Sequence, residues 1–439
     1  MSKRLSRRGF LKLGLGAAAG AAGAQLFLSS RAGHLSPVAQ AATTITPKYY
    51  LAGTDGWASF PGTGNTHFYP DPWAPTGKTS YMFGFANVSA YKTADPPVSA
   101  DVLGFKQKAQ SCAPMMYFDE NESAVVRLTN LGLAVRPDLV DSHTVHWHGF
   151  QNVIPMFDGE PSTSIAVPIG RVFDYSYKPY EPGTYMYHCH FEDTEHVHMG
   201  MVGPVVVRPA QNGTAHTHGG KTFTKFAYND GDGSTGYNRE YVIFLSEVWN
   251  ESHWDDAHIQ LPDWTDYKAD FYLINGRVYP DTLLPNGAAV GAPTNGVPGD
   301  LRDQPYSAVV HCKEGERVLL RLINLGFTKA SMTLAGIRMR VVGLDATQLR
   351  GKTDADGSYE TSTAQVGPGE SVDAIFEAPA HSGGAGYDTY LLYNRNIQGI
   401  SNNGGAGLGG QMTEVRVYSA SSNAIPAVQV GPNDLSSLA

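Results

Sequence analysis

Short runs rich in Val, Tyr, Phe and Thr recur along this chain, separated by turns containing glycine and proline, and few stretches carry a long helical pattern. Such runs predict β-strands. Several of them occur twice. Glu122-Ser123-Ala124-Val125-Val126-Arg127-Leu128-Thr129-Asn130-Leu131-Gly132 matches Glu316-Arg317-Val318-Leu319-Leu320-Arg321-Leu322-Ile323-Asn324-Leu325-Gly326. Val167 to Asp174 matches Val366 to Asp373, and Gly200 to Val207 matches Gly410 to Val417. Duplicated strand patterns in the same order predict two homologous β-sandwiches. The first is expected over residues 45–210 and the second over 238–420. Residues 211–237, rich in Gly, Asn and Asp, read as a linker, and 421–439 as a C-terminal tail.

Composition fits an all-β chain of more than one domain, with 49 Gly and 27 Pro in 439 residues. The N-terminus reads as an address. Ser6-Arg7-Arg8-Gly9-Phe10-Leu11-Lys12 is a twin-arginine signal, a weakly apolar stretch runs from Leu13 to Leu28, and Ala39-Gln40-Ala41 offers a cleavage site. Residues 1–41 are thus expected to be a signal peptide that exports a folded protein to a prokaryotic periplasm or beyond the cell. The stretch is too short and too rich in glycine for a transmembrane helix. Sequons such as Asn121-Glu122-Ser123 carry no information on that route. Net charge is −9, and the leader holds six basic and no acidic residues, so the mature chain is more acidic still. A nucleic-acid partner is excluded on that ground.

The chemistry lies in two segments. Tyr185-Met186-Tyr187-His188-Cys189-His190 places a thiol between two imidazoles, and His143-Thr144-Val145-His146-Trp147-His148-Gly149 supplies three more imidazoles. In a strand, successive side chains point to opposite faces. Cys189 then faces the interior, while His188 and His190 face the other way. His146 and His148 share a face and Trp147 packs on the reverse. His143, three residues before His146, is free to reach the cysteine side through a bend. Two His, one Cys and a weak thioether make a blue copper site, and His196 and Met201 follow the cysteine. Zinc is the chemical competitor, but it favours closed sets with more than one thiolate or an open catalytic position.

These segments resemble the copper motifs of the multicopper oxidases, Thr144 to Gly149 the first and Gly183 to His190 with His196 and Met201 the last. The resemblance implies tandem Greek-key sandwiches of the cupredoxin type. It implies type 1 copper on His143, Cys189, His196 and axial Met201. His146 would serve a type 2 ion, and His148, His188 and His190 type 3 ions. The implied activity is laccase-like: one-electron oxidation of a small-molecule or metal-ion donor, transfer through Cys189 to His188 and His190, and reduction of O2 to water. Asp158, before Gly159, stands where the family often has an acidic residue beside the cluster, and is a candidate proton relay; an ordinary turn aspartate is the alternative. In the family the second type 1 histidine usually follows the cysteine by five residues, where this chain has Thr194, so His196 implies a two-residue insertion, with His198 and Met199 as fallback ligands.

Aligning Gly149 with Gly336 turns His143, His146 and His148 into Ala330, Thr333 and Ala335, and the cysteine strand falls within Tyr390 to Asn396. The second sandwich therefore lacks copper ligands. A family cluster takes eight histidines from two facing domains, and the first sandwich offers four. The rest come from a facing copy of the first sandwich across a two-fold axis, from His216 and His218 with His253 and His258, or from nowhere. A homo-oligomer, trimeric or larger, with the cluster at a subunit interface is the expectation. Taken singly, those four histidines read as solvated loop residues. A copper nitrite reductase-like enzyme and a non-catalytic blue copper carrier are the alternatives. The first would replace His146 by Asp and His190 by a non-ligand, and the second would bind one copper per chain. Cys112 and Cys312 are either a bridge between the sandwiches or buried thiols. Met115, Met116, Met156, Met186 and Met199 read as core rather than a soft donor surface. Glu192, Asp193 and Glu195 form an acidic loop, either solvated or inviting a cationic donor.

Overall fold

A computed structural model describes residues 46–62, 68–89 and 100–426. The leader 1–41 and the end of the tail lie outside the described residues. Among these residues no helix is long and apolar enough to cross a membrane.

The described residues of the first half hold eight strands: β1 (Tyr49–Ala58), β2 (Ser80–Asn87), β3 (Met116–Asp119), β4 (Ala124–Gly132), β5 (His146–His148), β6 (Val172–Tyr177), β7 (Gly183–His188) and β8 (Val202–Arg208). They form two four-stranded sheets, ordered β2-β1-β4-β6 and β3-β8-β7-β5. Helix α1 (Asp193–Met199) joins β7 to β8. Within 211–237 a hairpin of β9 (His216–His218) and β10 (Lys221–Phe223) follows. Its later residues Ala227, Tyr228 and Tyr237 are buried against Leu319, Val342 and Ile375. Aromatic side chains gave that Gly-rich stretch a surface to bury.

The second half begins with β11 (Arg239–Val248), helix α2 (Asn250–Ala257), β12 (Phe271–Ile274) and a hairpin of β13 (Val290–Thr294) and β14 (Val297–Asp300). It continues through β15 (Val310–Lys313), β16 (Arg317–Asn324), β17 (Ala330–Leu334), β18 (Met339–Leu344), β19 (Thr347–Gln348) and β20 (Tyr359–Thr361). It ends with β21 (Thr363–Val366), β22 (Ser371–Glu377), β23 (Tyr387–Asn394) and β24 (Met412–Tyr418). One sheet runs β12-β11-β16-β22-β18-β19, with β20 also on β18, and the other β15-β24-β23-β17-β21.

The pairings repeat strand for strand. β1 lies parallel to β4 as β11 does to β16, and β3 parallel to β8 as β15 does to β24. His146 sits opposite His188, and Thr333 opposite Tyr393. Side chains repeat too. Asn130 Nδ2 donates to the Val167 carbonyl and Asn324 Nδ2 to the Val366 carbonyl, at 2.8 and 3.0 Å. The fold is two tandem cupredoxin-like sandwiches.

β7 is buried on both faces, which is why its sequence lacks a polar side. Tyr185 and Tyr187 enter the first core with Trp147 and Phe118. Met186 faces a separate cluster in which Val202 and Val206 of β8 meet Val242, Phe244 and Ile323 of the second sandwich. Thr184 Oγ1 donates to Asp373 Oδ1 of β22 at 2.5 Å. The strand that leads to Cys189 is thereby wedged between two cores.

Candidate copper centres

Trp147 fixes the first motif. Its ring lies 3.9 Å from Tyr177 and 4.8 Å from Phe118, and it is 1% exposed. With the indole inward, period two sends His146 and His148 outward. Thr144 clamps the second motif. Its N–H points at Cys189 Sγ (3.4 Å), and its Oγ1 accepts from the His190 N–H (2.8 Å). Cys189 turns inside, and its N–H donates to the Met201 carbonyl at 3.0 Å.

The inner group is His143, Cys189 and His196, whose ligand atoms lie within 4.8 Å of one another. All three are fully buried, as is Met201. Cys189 Sγ is 3.2 Å from His196 Nδ1. Both ring nitrogens of His143 and Nε2 of His196 have no hydrogen-bond partner. Burial opposes a charge on Cys189, but His196 and His143 outweigh it and hold the thiol well below its ordinary value. Burial likewise opposes a charge on His196, yet Cys189 and Asp141 push its imidazole up to about 10. A buried thiolate ringed by orphaned imidazole nitrogens calls for a cation, and these donors suit copper. Gly53 makes room: a Cβ there would lie 2.7 Å from His143 Cδ2.

The two extra residues between Cys189 and His196 are taken up by α1. The helix starts after Glu192, held left-handed at φ 47°, and ends at Gly200, φ 116°. Met201 N–H donates to the His196 carbonyl at 2.9 Å. His198 points elsewhere. Its Nε2 accepts from the Trp249 N–H at 3.1 Å, inside a box of His253, Trp264, Tyr267 and Phe327. Met199 is buried in the core that also holds Cys189.

The outer group is His146, His148 and His188, with ligand atoms again within 4.8 Å of one another. The His190 ring lies 4.8 Å from that of His146 and 5.5 Å from that of His188. His146 Nδ1 bonds the Asp158 carbonyl (2.7 Å), and His188 Nδ1 the Cys189 carbonyl (2.8 Å), so each presents Nε2. Such bonds fix ring and tautomer for a metal. Burial lowers the pKa of His146 and His148 and takes His188 down to about 3, which favours the neutral imidazole, the ligand form. Asp158 Oδ1 is 3.4 Å from His146 Nδ1 and its side chain is 31% exposed. Gly159 permits this approach: at φ 78° it lies against Val145, where any Cβ would strike the carbonyl.

The multicopper oxidase family model matches residues 92–212, and a second multicopper oxidase model matches 239–421. The chain belongs to the multicopper oxidase family. Copper is the cofactor of that family.

Laccase-25 of Oryza sativa subsp. japonica is 27% identical over 320 residues, covering 71% of this chain and 45% of the relative. Copper resistance protein A of Pseudomonas syringae pv. tomato is 24% identical, covering 61% of this chain and 42% of the relative. This multicopper oxidase chain thus spans less than half the length of these curated relatives. Among solved structures, the blue copper oxidase from Nitrosomonas europaea has a TM-score of 0.56 at 20% identity, covering 84% of this chain and 85% of that one. The copper nitrite reductase from the same organism scores 0.52 at 14% identity, with 88% and 97% covered. These likenesses show the shared fold and do not choose between activities.

The second sandwich faces the outer group without a ligand. Gly369 lies over His148, where a Cβ would be 3.3 Å from Nε2. Offsets fixed by the pairing set His188-Cys189-His190 against Tyr393-Asn394-Arg395. Ser331 N–H donates to Asn394 Oδ1 at 3.1 Å, in the place of Thr144 N–H and Cys189 Sγ.

Several other expectations change. His253 is buried on α2, bonded through Nδ1 to the Tyr81 carbonyl at 2.5 Å, and His258 is stacked on Trp254 and paired with Asp71, so neither is a solvated loop residue. His216 and His218 lie against Gly233, with no other metal-binding group of the described residues gathered around them. Cys112 and Cys312 are free thiols in separate cores, both pushed up by burial, and no bridge joins them. Met115, Met116, Met186 and Met199 are buried, while Met156 is 47% exposed. Asp141, whose Oδ2 lies 3.7 Å from His196 Nε2, was not foreseen, because a single loop aspartate carries no signal of its own.

Proposed function

We propose that this chain is a laccase-like copper oxidase that takes single electrons from a small-molecule or metal-ion donor and reduces O2 to water. One observation carries the reading: Cys189 belongs to the inner group, its chain neighbour His188 belongs to the outer one, and the ring of its other neighbour, His190, lies 4.8 Å from that of His146. Copper, when bound, supplies one-electron chemistry by alternating between cupric and cuprous states. His143, Cys189, His196 and Met201 would hold the type 1 ion away from water. His146, His148, His188 and His190 would hold the type 2 and type 3 ions. The Cys189 backbone supplies the short covalent route between the two groups. Asp158, half exposed beside His146, would pass protons through its carboxylate.

The four outer imidazoles are half of a family cluster. The remainder would come from a neighbouring subunit in a trimer or larger assembly, a second copy of the first sandwich being the partner with ligands to give. An isologous contact repeats one patch on both partners, which suits that arrangement. Export by the twin-arginine route to the periplasm or outside the cell agrees with residues 6–12 of the sequence. A nitrite reductase-like enzyme or a non-catalytic carrier is the second reading, favoured by the bare backbone of Gly369 over His148. Copper content and gas consumption of the copper-loaded protein decide. The proposal expects more than one copper per chain and O2 uptake that Cys189→Ser abolishes. One copper per chain would indicate a carrier, and nitrite consumption without O2 uptake a reductase.

A further inference from the structure

We propose that the second sandwich, which contributes no copper ligand, positions the outer copper group, with Gly369 as the residue that sets the His148 ring. The proposal rests on the reading that His146, His148 and His188 hold copper, and adds what keeps them in place.

The His148 ring is held between two partners. Its Nδ1 lies 3.3 Å from His188 Nε2. The Gly369 backbone hydrogen-bonds the same ring, on the side of Nε2, which a Cβ at Gly369 would approach to 3.3 Å. His188 Nδ1 is committed in the same way, to the Cys189 carbonyl at 2.8 Å. With both outer nitrogens bonded to backbone carbonyls, the two that face each other carry lone pairs. A cation between them removes that repulsion, and the carbonyls fix both rings for it. Only glycine suits position 369. Its φ is 77°, and a Cβ would crowd both Cε1 and Nε2 of His148 and push the ring off the carbonyl.

The turn that carries Gly369 is tied to both sandwiches. Gly369 N–H donates to the Asn324 carbonyl at 2.8 Å, and Asn324 N–H to the Glu370 carbonyl at 3.1 Å. Two residues on, Ser371 Oγ donates to the Thr184 carbonyl of β7 at 2.7 Å. Thr184 Oγ1 also donates to Asp373 and accepts from the buried Arg321 Nη1 at 2.9 Å. Thr184 stands two residues before Met186, the residue of β7 that pairs with His148. One short stretch of the second sandwich, 369–373, thus grips the ring and the strand beside it. A second contact braces the start of β7. Gly183 lies so near Ala346, in the turn between β18 and β19, that a Cβ would be 2.6 Å from the alanine's own. Ala346 itself enters the first core. The sandwich that lost its ligands keeps a task in the copper chemistry of its neighbour.

Copper retained against a chelator tests this, counted beside the blue absorption of the inner site and the paramagnetic resonance signal of the outer copper. Gly369→Ala should keep the blue absorption, alter the outer signal and weaken outer copper binding at least about tenfold. Gly315→Ala is the control. Gly315 belongs to the same sandwich with φ 73°, and a Cβ there meets nothing within 4 Å, so the variant carries the backbone strain without the contact. It should hold copper as wild type does. Ser371→Ala removes one bond and adds no atom, so it reports even if Gly369→Ala fails to fold. It should weaken outer copper binding about fivefold, the worth of one hydrogen bond, with the blue absorption intact. Outer copper unchanged in Gly369→Ala or in Ser371→Ala, or lost equally in Gly315→Ala, overturns the positioning role. A blue wild-type chain that holds a single copper overturns the outer copper reading instead, and the positioning role with it.

Discussion

At the scale of single residues, the two histidines of α1 have opposite duties. His196 Nδ1 meets Cys189 Sγ, while His198 closes an aromatic box beneath the helix. His196→Ala should bleach the blue absorption. His198→Ala should keep the colour and lower stability by roughly 2–4 kcal/mol, the range for emptying a buried site. Absorbance and urea unfolding of the two variants check this, and the reverse pattern would mean that the insertion before His196 had been misplaced. The ligand candidates were legible in the sequence because period two sorts a strand into faces without further information. Asp141, Gly53 and the clamp by Thr144 were not, because each acts on a partner brought near only by the fold: Gly53 on His143, Thr144 on Cys189, Asp141 on His196.

At the scale of elements, α2 is held by a neutral histidine. His253 bonds the Tyr81 carbonyl of β2, and burial lowers its pKa to about 4. Below pH 6.5 the unfolded chain takes up a proton that the folded chain refuses until about pH 4. Stability from this group is therefore complete above pH 6.5 and is lost as pH falls towards 4, on the order of 3 kcal/mol. His253→Asn should be less stable at pH 7 yet lose less between pH 7 and 4.5, as read from urea midpoints; an unchanged acid slope would remove His253 as its cause. The strand repeats were visible in sequence because both copies bury the same apolar positions. Helix α1 was not, since seven residues with two histidines and three acidic or polar side chains offer no apolar stripe. Its burial comes from what lies beneath it.

At the scale of the whole molecule, the two sandwiches share one architecture but not one need. The first encloses a thiolate and imidazole nitrogens with no partner; in the second, the equivalent Asn394 is satisfied by Ser331 and by Gln411 at 2.8 Å. Anything that binds only the folded state stabilises it, so copper should tighten the first sandwich far more. Stripping copper should speed hydrogen exchange in β4, β5 and β7 and leave β16, β17 and β23 nearly unchanged; equal loss of protection in both would mean that the shared Met186–Phe244 cluster makes them a single cooperative unit. An amide in place of a thiolate also has a consequence in time. The half synthesised last carries its own partners, whereas the half synthesised first keeps imidazole nitrogens unpartnered that a copper ion would fill. A shortage of metal should therefore be felt in the N-terminal half first, with the C-terminal half beside it indifferent to supply.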